Sequence, residues 1–464
     1  MADLSCTIAG IPSPNPFWVA SAPPSDKYYN VDRAFRAGWG GVVWKTLGID
    51  PPIVNVTSRY GSVNLNGQKM MGLNNNELIT DRPLEVNLAE IKQIKEEWPD
   101  RAVVVSLMVP CNQNDWEYIL RKVEDTGADG VELNFGCPHG MSERGMGAAV
   151  GQVPDYVEMV TRWVKENSDL PCIVKLTPNI TDIRYPARAA KAGGADGVSL
   201  INTISSIVSV DLDSMSPEPS IEGKGTHGGY CGPAVKPIAL NMTSEIARDP
   251  ETLGLPISAI GGISNWKDAA EFMSMGAEGV QVCTAIMHYG FRIVEDMIEG
   301  LNHWMDEKGY EKIEDFRGMA AKNVVDWQYL NLKYDVKARI NQELCVECGL
   351  CFISCEDASH QAIKMNKSNG SRSFEVIDQE CVGCNLACWF VRWTTASPWN
   401  GLIPARNTRT GRPTRITRWL SPKQPEGNNP KSSEKSLNPF FRTDSKRRNY
   451  EHTDQERPDC HRSR

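Results

Sequence analysis

The chain has 464 residues and a formal net charge of −8, from 50 Lys+Arg against 58 Asp+Glu, too long for one small domain and read as one large domain with something appended. Hydrophobic residues make up 41% and charged residues 23%, an ordinary globular balance that, being acidic overall, argues against nucleic acid as the main partner. No run of eighteen apolar residues exists, so no membrane-spanning helix is expected, and MADLSCTIAG, with neither a basic start nor an apolar h-region, gives no sign of secretion.

Up to about residue 300 one pattern recurs. A short β-branched run ends in a small or polar residue, and a stretch at helical period follows. The runs are PFWVASA (16–22), GGVVWKT (40–46), VVVSLMV (103–109), GVELNFG (130–136), CIVKLTP (172–178), GVSLINT (197–203), PISAIGG (256–262) and GVQVCTA (279–285). DWEYILRKVEDTG, PDYVEMVTRWVKEN, IRYPARAAKAGG and WKDAAEFMSMG read as helices, and the recurring AGG, TGADG and MGAEG elements read as their C-caps. Near-continuous apolar strands alternating with helices predict a parallel sheet, and eight units predict an α/β fold of the (β/α)8 TIM-barrel kind over residues 1–310. An open doubly wound sheet is disfavoured because no G-x-G-x-x-G follows the first strand.

In such barrels the chemistry sits at the C-terminal strand ends. Read in order, these are Ser21, Lys45 with Thr46, Asn134 with Cys137, Lys175, Asn202 with Thr203, Gly261 with Gly262, and Cys283 with Thr284. One strand-end lysine is ordinary surface decoration, but two lysines and two asparagines at one rim are not. A lysine there can meet the negative charge that builds on a reduced flavin. Asparagine, both donor and acceptor, can read an amide or pyrimidine edge. The late glycines fall where these barrels commonly hold a phosphate. After the fourth strand, NFGCPHGMSERGMGAAVGQ predicts a flexible functional loop, with Cys137 at its mouth placed to exchange a proton with a substrate carbon. Cys6, Cys111, Cys172 and Cys231 show no ligand spacing and read as packing or loop thiols.

The segments ELNFGCPHGMSERGMG, GWGGVVWKT, KLTPNITD and GGADGVSLINT resemble the FMN domain of dihydropyrimidine dehydrogenases, within the wider dihydroorotate dehydrogenase family. The resemblance runs from about residue 4 to residue 386 and, with the cysteine motifs described next, is to the FMN/iron–sulfur subunits of the bacterial NAD-dependent members. It implies that Ser21, Lys45, Thr46 and Lys175 contact FMN, with Gly232, Gly262, Cys283 and Thr284 on its phosphate side. It implies that Asn75 and Glu77 in GLNNNELI, with Asn134, Asn202 and Thr203, meet the pyrimidine, and that Cys137 is the general acid/base. The implied reaction is reversible reduction of uracil or thymine to the 5,6-dihydro form. Dihydroorotate oxidation and a catalytically silent electron-carrier or scaffold are the rival functions.

Residues 311–335 read as a helical linker. The next segment, 336–386, carries Cys345, Cys348, Cys351 and Cys355 as C-x2-C-x2-C-x3-C, the ferredoxin run for [4Fe–4S] clusters, and Cys381 with Cys384 opens a second run. The appended domain is therefore a ferredoxin-like iron–sulfur domain, but an incomplete one. Ala387 stands where the next cysteine belongs, Cys388 comes one place late, and no Cys-Pro follows. Because the fourth cysteine of each run serves the other cluster, the cluster on Cys345, Cys348 and Cys351 lacks its fourth ligand and the one on Cys381, Cys384 and Cys355 its third unless Cys388 substitutes, so the second is doubtful. At the same point the charge flips. Residues 387–464 hold 16 Lys+Arg and 7 Asp+Glu, a charge of +9, against 34 and 51, or −17, for residues 1–386. This stretch reads as a disordered basic tail, either a shifted reading frame or a genuine docking segment. Of 14 cysteines, six have cluster spacing and the rest are scattered, the usage of a reducing cytoplasm. With no dinucleotide fingerprint, NAD(H) binding is assigned elsewhere: the resemblance implies NAD(H) on a separate NADH-oxidising FAD/iron–sulfur flavoprotein, and so a hetero-oligomer.

Overall fold

Successive side chains of a strand point to opposite faces, and eight short runs use this rule to build a closed wall. They are β1 (Phe17–Val19), β2 (Gly41–Leu47), β3 (Ala102–Leu107), β4 (Gly130–Asn134), β5 (Cys172–Lys175), β6 (Gly197–Leu200), β7 (Ile257–Ile260) and β8 (Gly279–Val282). In this computed structural model, which describes residues 2–49, 54–65, 69–358, 360–368 and 370–387, each strand pairs in parallel with the next and β8 pairs with β1. The predicted eight-stranded barrel is the observed one.

The outward set, including Val42, Trp44, Val105, Leu133, Val174 and Val282, is fully or almost fully buried in one large core with the surrounding helices. Trp44 shows how the layers lock, since its indole N–H donates to Asn87 Oδ1 (3.1 Å) on the helix Leu84–Glu97. The inward set changes character along the axis. At the N-terminal end it is apolar: Trp18, Val43, Val104 and Ile173 pack with Ile8 and Ile11 of the hairpin formed by Cys6–Ile8 and Ile11–Ser13, which plugs the floor. Higher up it is polar and still buried, with Ser106, Glu132, Lys175, Ser199, Ser258 and Gln281. Burying that many polar groups costs free energy unless they pair, and their pairing defines the site described below.

The mouth carries an antiparallel sheet that the sequence reading did not anticipate. Its strands run in the order Ile204–Ser206, Gly228–Cys231, Lys69–Asn75, Tyr60–Leu65. The glycine-rich stretch after β4 also differs from expectation. It is folded rather than open, with a 3-10 turn at Ser142–Arg144, a short helix at Ala148–Gly151, and Cys137, Met141 and Met146 packed against Ile79 and Met108. Two of its glycines are needed for close approach rather than for mobility. A Cβ on Gly147 would stand 2.9 Å from the Cys137 carbonyl oxygen, and one on Gly151 2.0 Å from that of Phe135.

Packing divides the chain into Met1–Leu330 and Asn331–Arg464. The stretch expected as a helical linker carries 3-10 turns at Ile313–Asp315, Ala321–Asn323 and Trp327–Tyr329. The second unit has the helix Leu350–Glu356, an antiparallel hairpin of Ile363–Ser368 with Ser371–Val376, and a small core of Cys351, Cys355, Ala362, Ile363, Phe374 and Cys381. The tail expected at 387–464 and Cys388 lie, apart from Ala387, outside the described residues. Among the described residues no helix is long and apolar enough to cross a membrane.

Candidate active site

The strand ends and the antiparallel sheet enclose one cleft at the C-terminal mouth of the barrel. Ser21, Lys45, Thr46, Asn134, Lys175, Asn202 and Thr203 line it from the strand ends, and Cys137 from the segment after β4. Asn75 and Glu77 reach it from the sheet, while Gly232, Gly262, Cys283 and Thr284 close one side. Every FMN- and pyrimidine-site residue that the resemblance implies thus lines this one cleft.

The rim is wired by hydrogen bonds. Ser21 Oγ and Thr46 Oγ1 are 3.2 Å apart, Thr46 Oγ1 and Ser106 Oγ 2.9 Å, and Asn134 Nδ2 donates to Thr46 Oγ1 at 2.9 Å. Asn202 Nδ2 in turn donates to Asn134 Oδ1 (2.9 Å), and Asn202 Oδ1 accepts from the Thr203 backbone N–H (2.8 Å). The register explains the meeting, since Asn134 sits opposite Lys175, and Lys175 opposite Ser199, on neighbouring strands. Asn75 is fixed by its Nδ2 donating to the Gly229 carbonyl (2.8 Å) across the sheet.

Both lysines are buried and both face a carboxylate. Lys45 Nζ lies 2.6 Å from Glu77 Oε1 and 3.8 Å from Asp26 Oδ2. Burial alone would raise the Glu77 carboxyl, but Lys45, Tyr60 and Arg59 around it hold it below the ordinary value. Tyr60 Oη donates to Glu77 Oε2 at 2.9 Å, and Arg59 Nη1 lies 3.1 Å from the same oxygen. Asp26 is raised, by burial first of all. Lys175 Nζ lies 3.4 Å from Glu132 Oε1.

Cys137 is buried, with its thiol donating to the His139 carbonyl (3.4 Å) and its own carbonyl accepting from Ser142 Oγ (2.6 Å). Burial pushes the thiol up to about 11, against smaller lowering effects from the His139 backbone contact and the Lys175 charge. His139 Nε2 meets the Glu77 carbonyl oxygen at 3.0 Å, which ties the segment after β4 to the sheet.

Several participants were missed in the sequence. Glu132 is two residues before Asn134 on the same strand, so the period of two already put it on the same inward face. Arg59, Tyr60 and Asp26 carried no signal, because loop and sheet contacts alone bring them to Lys45 and Glu77. Cys231, read as a packing or loop thiol, lines the cleft and accepts from Thr284 Oγ1 at 3.3 Å.

These residues fit a flavin mononucleotide. Two ammonium groups and a hydroxyl–amide chain suit the edge of a planar ring, and Gly232 and Gly262, both at positive φ, let the backbone on the other side pack closely. A Cβ on Gly262 would stand 3.0 Å from the Gly232 carbonyl oxygen, and one on Gly232 3.4 Å from Thr284 Cγ2. Residues 3–305 match the model of the dihydroorotate dehydrogenase family, and residues 338–391 that of the 4Fe-4S dicluster domain. The chain belongs to the dihydroorotate dehydrogenase family. It is an oxidoreductase chain, 44% identical over 366 residues to the NAD-dependent dihydropyrimidine dehydrogenase subunit PreA of Escherichia coli, covering 79% of this chain and 88% of that one. It is 42% identical over 325 residues to the chloroplastic dihydropyrimidine dehydrogenase (NADP(+)) of Arabidopsis thaliana, covering 68% and 76%. To another family member, the catalytic subunit of dihydroorotate dehydrogenase B (NAD(+)) of Pyrococcus abyssi, identity is 36% over 325 residues, covering 69% and 99%.

The second unit carries the cysteines expected to hold the clusters, although among the described residues no group of three or more His, Cys, Asp or Glu is placed to hold a metal ion. Cys345 and Cys348 stand close enough to raise the Cys351 thiol, which burial mainly pushes up to about 11. Backbone N–H groups of Glu347, Ala362 and Ala338 donate to the sulfurs of Cys345, Cys355 and Cys381 at 3.4, 3.3 and 3.4 Å. Such hydrogen bonds favour thiolate and cluster sulfur. One small cavity is lined by Cys355, Cys381 and Cys384 together with Ala387, the grouping that the ligand-exchange rule between paired clusters predicts. Ala387 occupies the place of a fourth sulfur.

Proposed function

We propose that the barrel reduces uracil or thymine reversibly to the 5,6-dihydro form. The observation that carries the reading is the pairing of charge in the cleft. Lys45 faces Glu77 and Lys175 faces Glu132, and Arg59 is also engaged by Glu77. What remains for a substrate is neutral donor–acceptor chemistry from Asn75, Asn134, Asn202 and Thr203. That set suits the alternating N–H and C=O edge of a pyrimidine. A ring bearing a carboxylate would need a cation without a prior partner.

Bound FMN would supply hydride transfer to and from the ring. The chain's own residues do the rest. Asn134 and Asn202 hold each other and orient the ring. Lys45 and Lys175 meet negative charge that builds beneath it. Cys137, protonated at neutral pH, gives its proton to C5, and the sheet over the mouth keeps water out. Electrons would enter through the clusters from a separate flavoprotein that oxidises NADH, since no G-x-G-x-x-G fingerprint follows a strand of the barrel. The name "subunit" carried by the Escherichia coli relative supports a second chain.

A reduced viologen dye tests this. With it as donor, the purified chain is expected to convert uracil and thymine to their dihydro products and leave orotate unchanged. NADH alone should drive no turnover. Orotate reduction without uracil reduction would overturn the substrate reading. Robust NADH-driven turnover by the single chain would overturn the division of labour.

A further inference from the structure

The reaction outlined above uses Glu132 only as the partner that occupies Lys175. Glu132, in the middle of β4, is 0% exposed. Its Oε2 accepts from Ser199 Oγ (2.8 Å) on β6 and from Gln281 Nε2 (3.1 Å) on β8. Gln281 Nε2 also reaches Ser258 Oγ (3.1 Å) on β7. Glu132 Oε1 makes no hydrogen bond and faces Lys175 Nζ at 3.4 Å. Four strands thus hold one carboxylate immediately beneath the cleft, with one oxygen fastened and the other turned to a lysine.

Three further groups near Lys175 act weakly or in the wrong sense. The Cys137 and Cys283 thiols both feel its positive charge, but burial raises them to about 11 and about 12, so neither offers a negative charge at neutral pH. Lys45 lines the same cleft and repels it, and of the two carboxylates beside Lys45, Asp26 lies 3.8 Å from its ammonium and Glu77 already serves Lys45, Arg59 and Tyr60. Among the described residues Glu132 is the only carboxylate within ion-pair distance of Lys175. A buried lysine without a counter-ion loses its proton readily, its pKa falling by up to about 3–5 units.

We infer that Glu132 is a positioning residue that keeps Lys175 charged and aimed at the cleft floor, and so sets the reduction potential of the flavin bound above it. The inference rests on the flavin reading of the cleft. If the purified chain takes up no FMN, that reading fails, whereas a fault in the inference shows only in the variants.

The test is a spectroscopic titration of the flavin potential in the FMN-loaded full chain from about pH 6 to about pH 9. In the wild-type protein the slope is expected to be constant. Glu132→Gln should add an inflection in this range, above which the potential falls towards that of Lys175→Met. Glu132→Asp, whose carboxylate is one methylene further away, should show the inflection at higher pH, and it carries the test alone if the Gln variant does not fold. A merely structural role would lower thermal stability or FMN content and leave the slope unchanged. A wild-type slope in whichever of the two variants folds overturns the inference.

Discussion

Cys137→Ala is expected to lower uracil turnover by about 10²–10⁴-fold, the usual contribution of a positioned acid, while FMN stays bound. The thiol lies among Ile79, Met108, Met141 and Met146, and its raised value of about 11 means that it carries a proton at neutral pH. It is therefore ready as an acid when the ring is reduced. In the reverse direction it must first be a thiolate. Oxidation of dihydrouracil should consequently accelerate about tenfold per pH unit on the approach to the thiol's own value, and this slope should vanish in the Ala variant. Stopped-flow measurement of both directions in the two proteins checks it. A variant within a few-fold of wild type at every pH would remove Cys137 from the chemistry.

Ala387→Cys is expected to add about one firmly held iron per chain, because the cavity lined by Cys355, Cys381 and Cys384 has Ala387 where a thiolate belongs. Anaerobic reconstitution followed by a mild chelator should leave the wild-type protein short of the about eight irons that two [4Fe–4S] clusters require. The variant should lose less, and its electron paramagnetic resonance spectrum should change with the count. Cys388→Ala should leave the wild-type count as it is. A wild-type chain that keeps about eight irons through the chelator, or a Cys388→Ala variant that loses one, would show the corner to be filled already.

The barrel was readable because burial on both faces of a parallel strand leaves near-continuous apolar runs, and each of the eight runs overlaps an observed strand. The ends of those runs also placed Lys45, Asn134, Lys175 and Asn202 on one rim, since the fold sends every C-terminal strand end the same way. The sheet over the mouth was not readable. KMMGLNN and GGYC lack the alternating apolar pattern of a half-buried strand, and its pairing joins segments more than a hundred residues apart, with Asn75 opposite Gly229. Asn75 and Glu77 were therefore placed only through the family resemblance, and Tyr60 and Arg59 not at all. The glycines after β4 misled in a different way. Glycine marks both loose chain and tight contact, and only the neighbours of Gly147 and Gly151 tell which applies. Glu132 was hidden by its flanking apolar residues, although its spacing from Asn134 was sufficient to find it.

The central claim is that this rim holds a flavin under a neutral pyrimidine. Anaerobic mixing of the oxidised, FMN-loaded chain with dihydrouracil or with dihydroorotate tests it most directly. Bleaching of the flavin band by dihydrouracil, with dihydroorotate without effect, is the result expected. A band that bleaches only with dihydroorotate, or with neither compound, would contradict it.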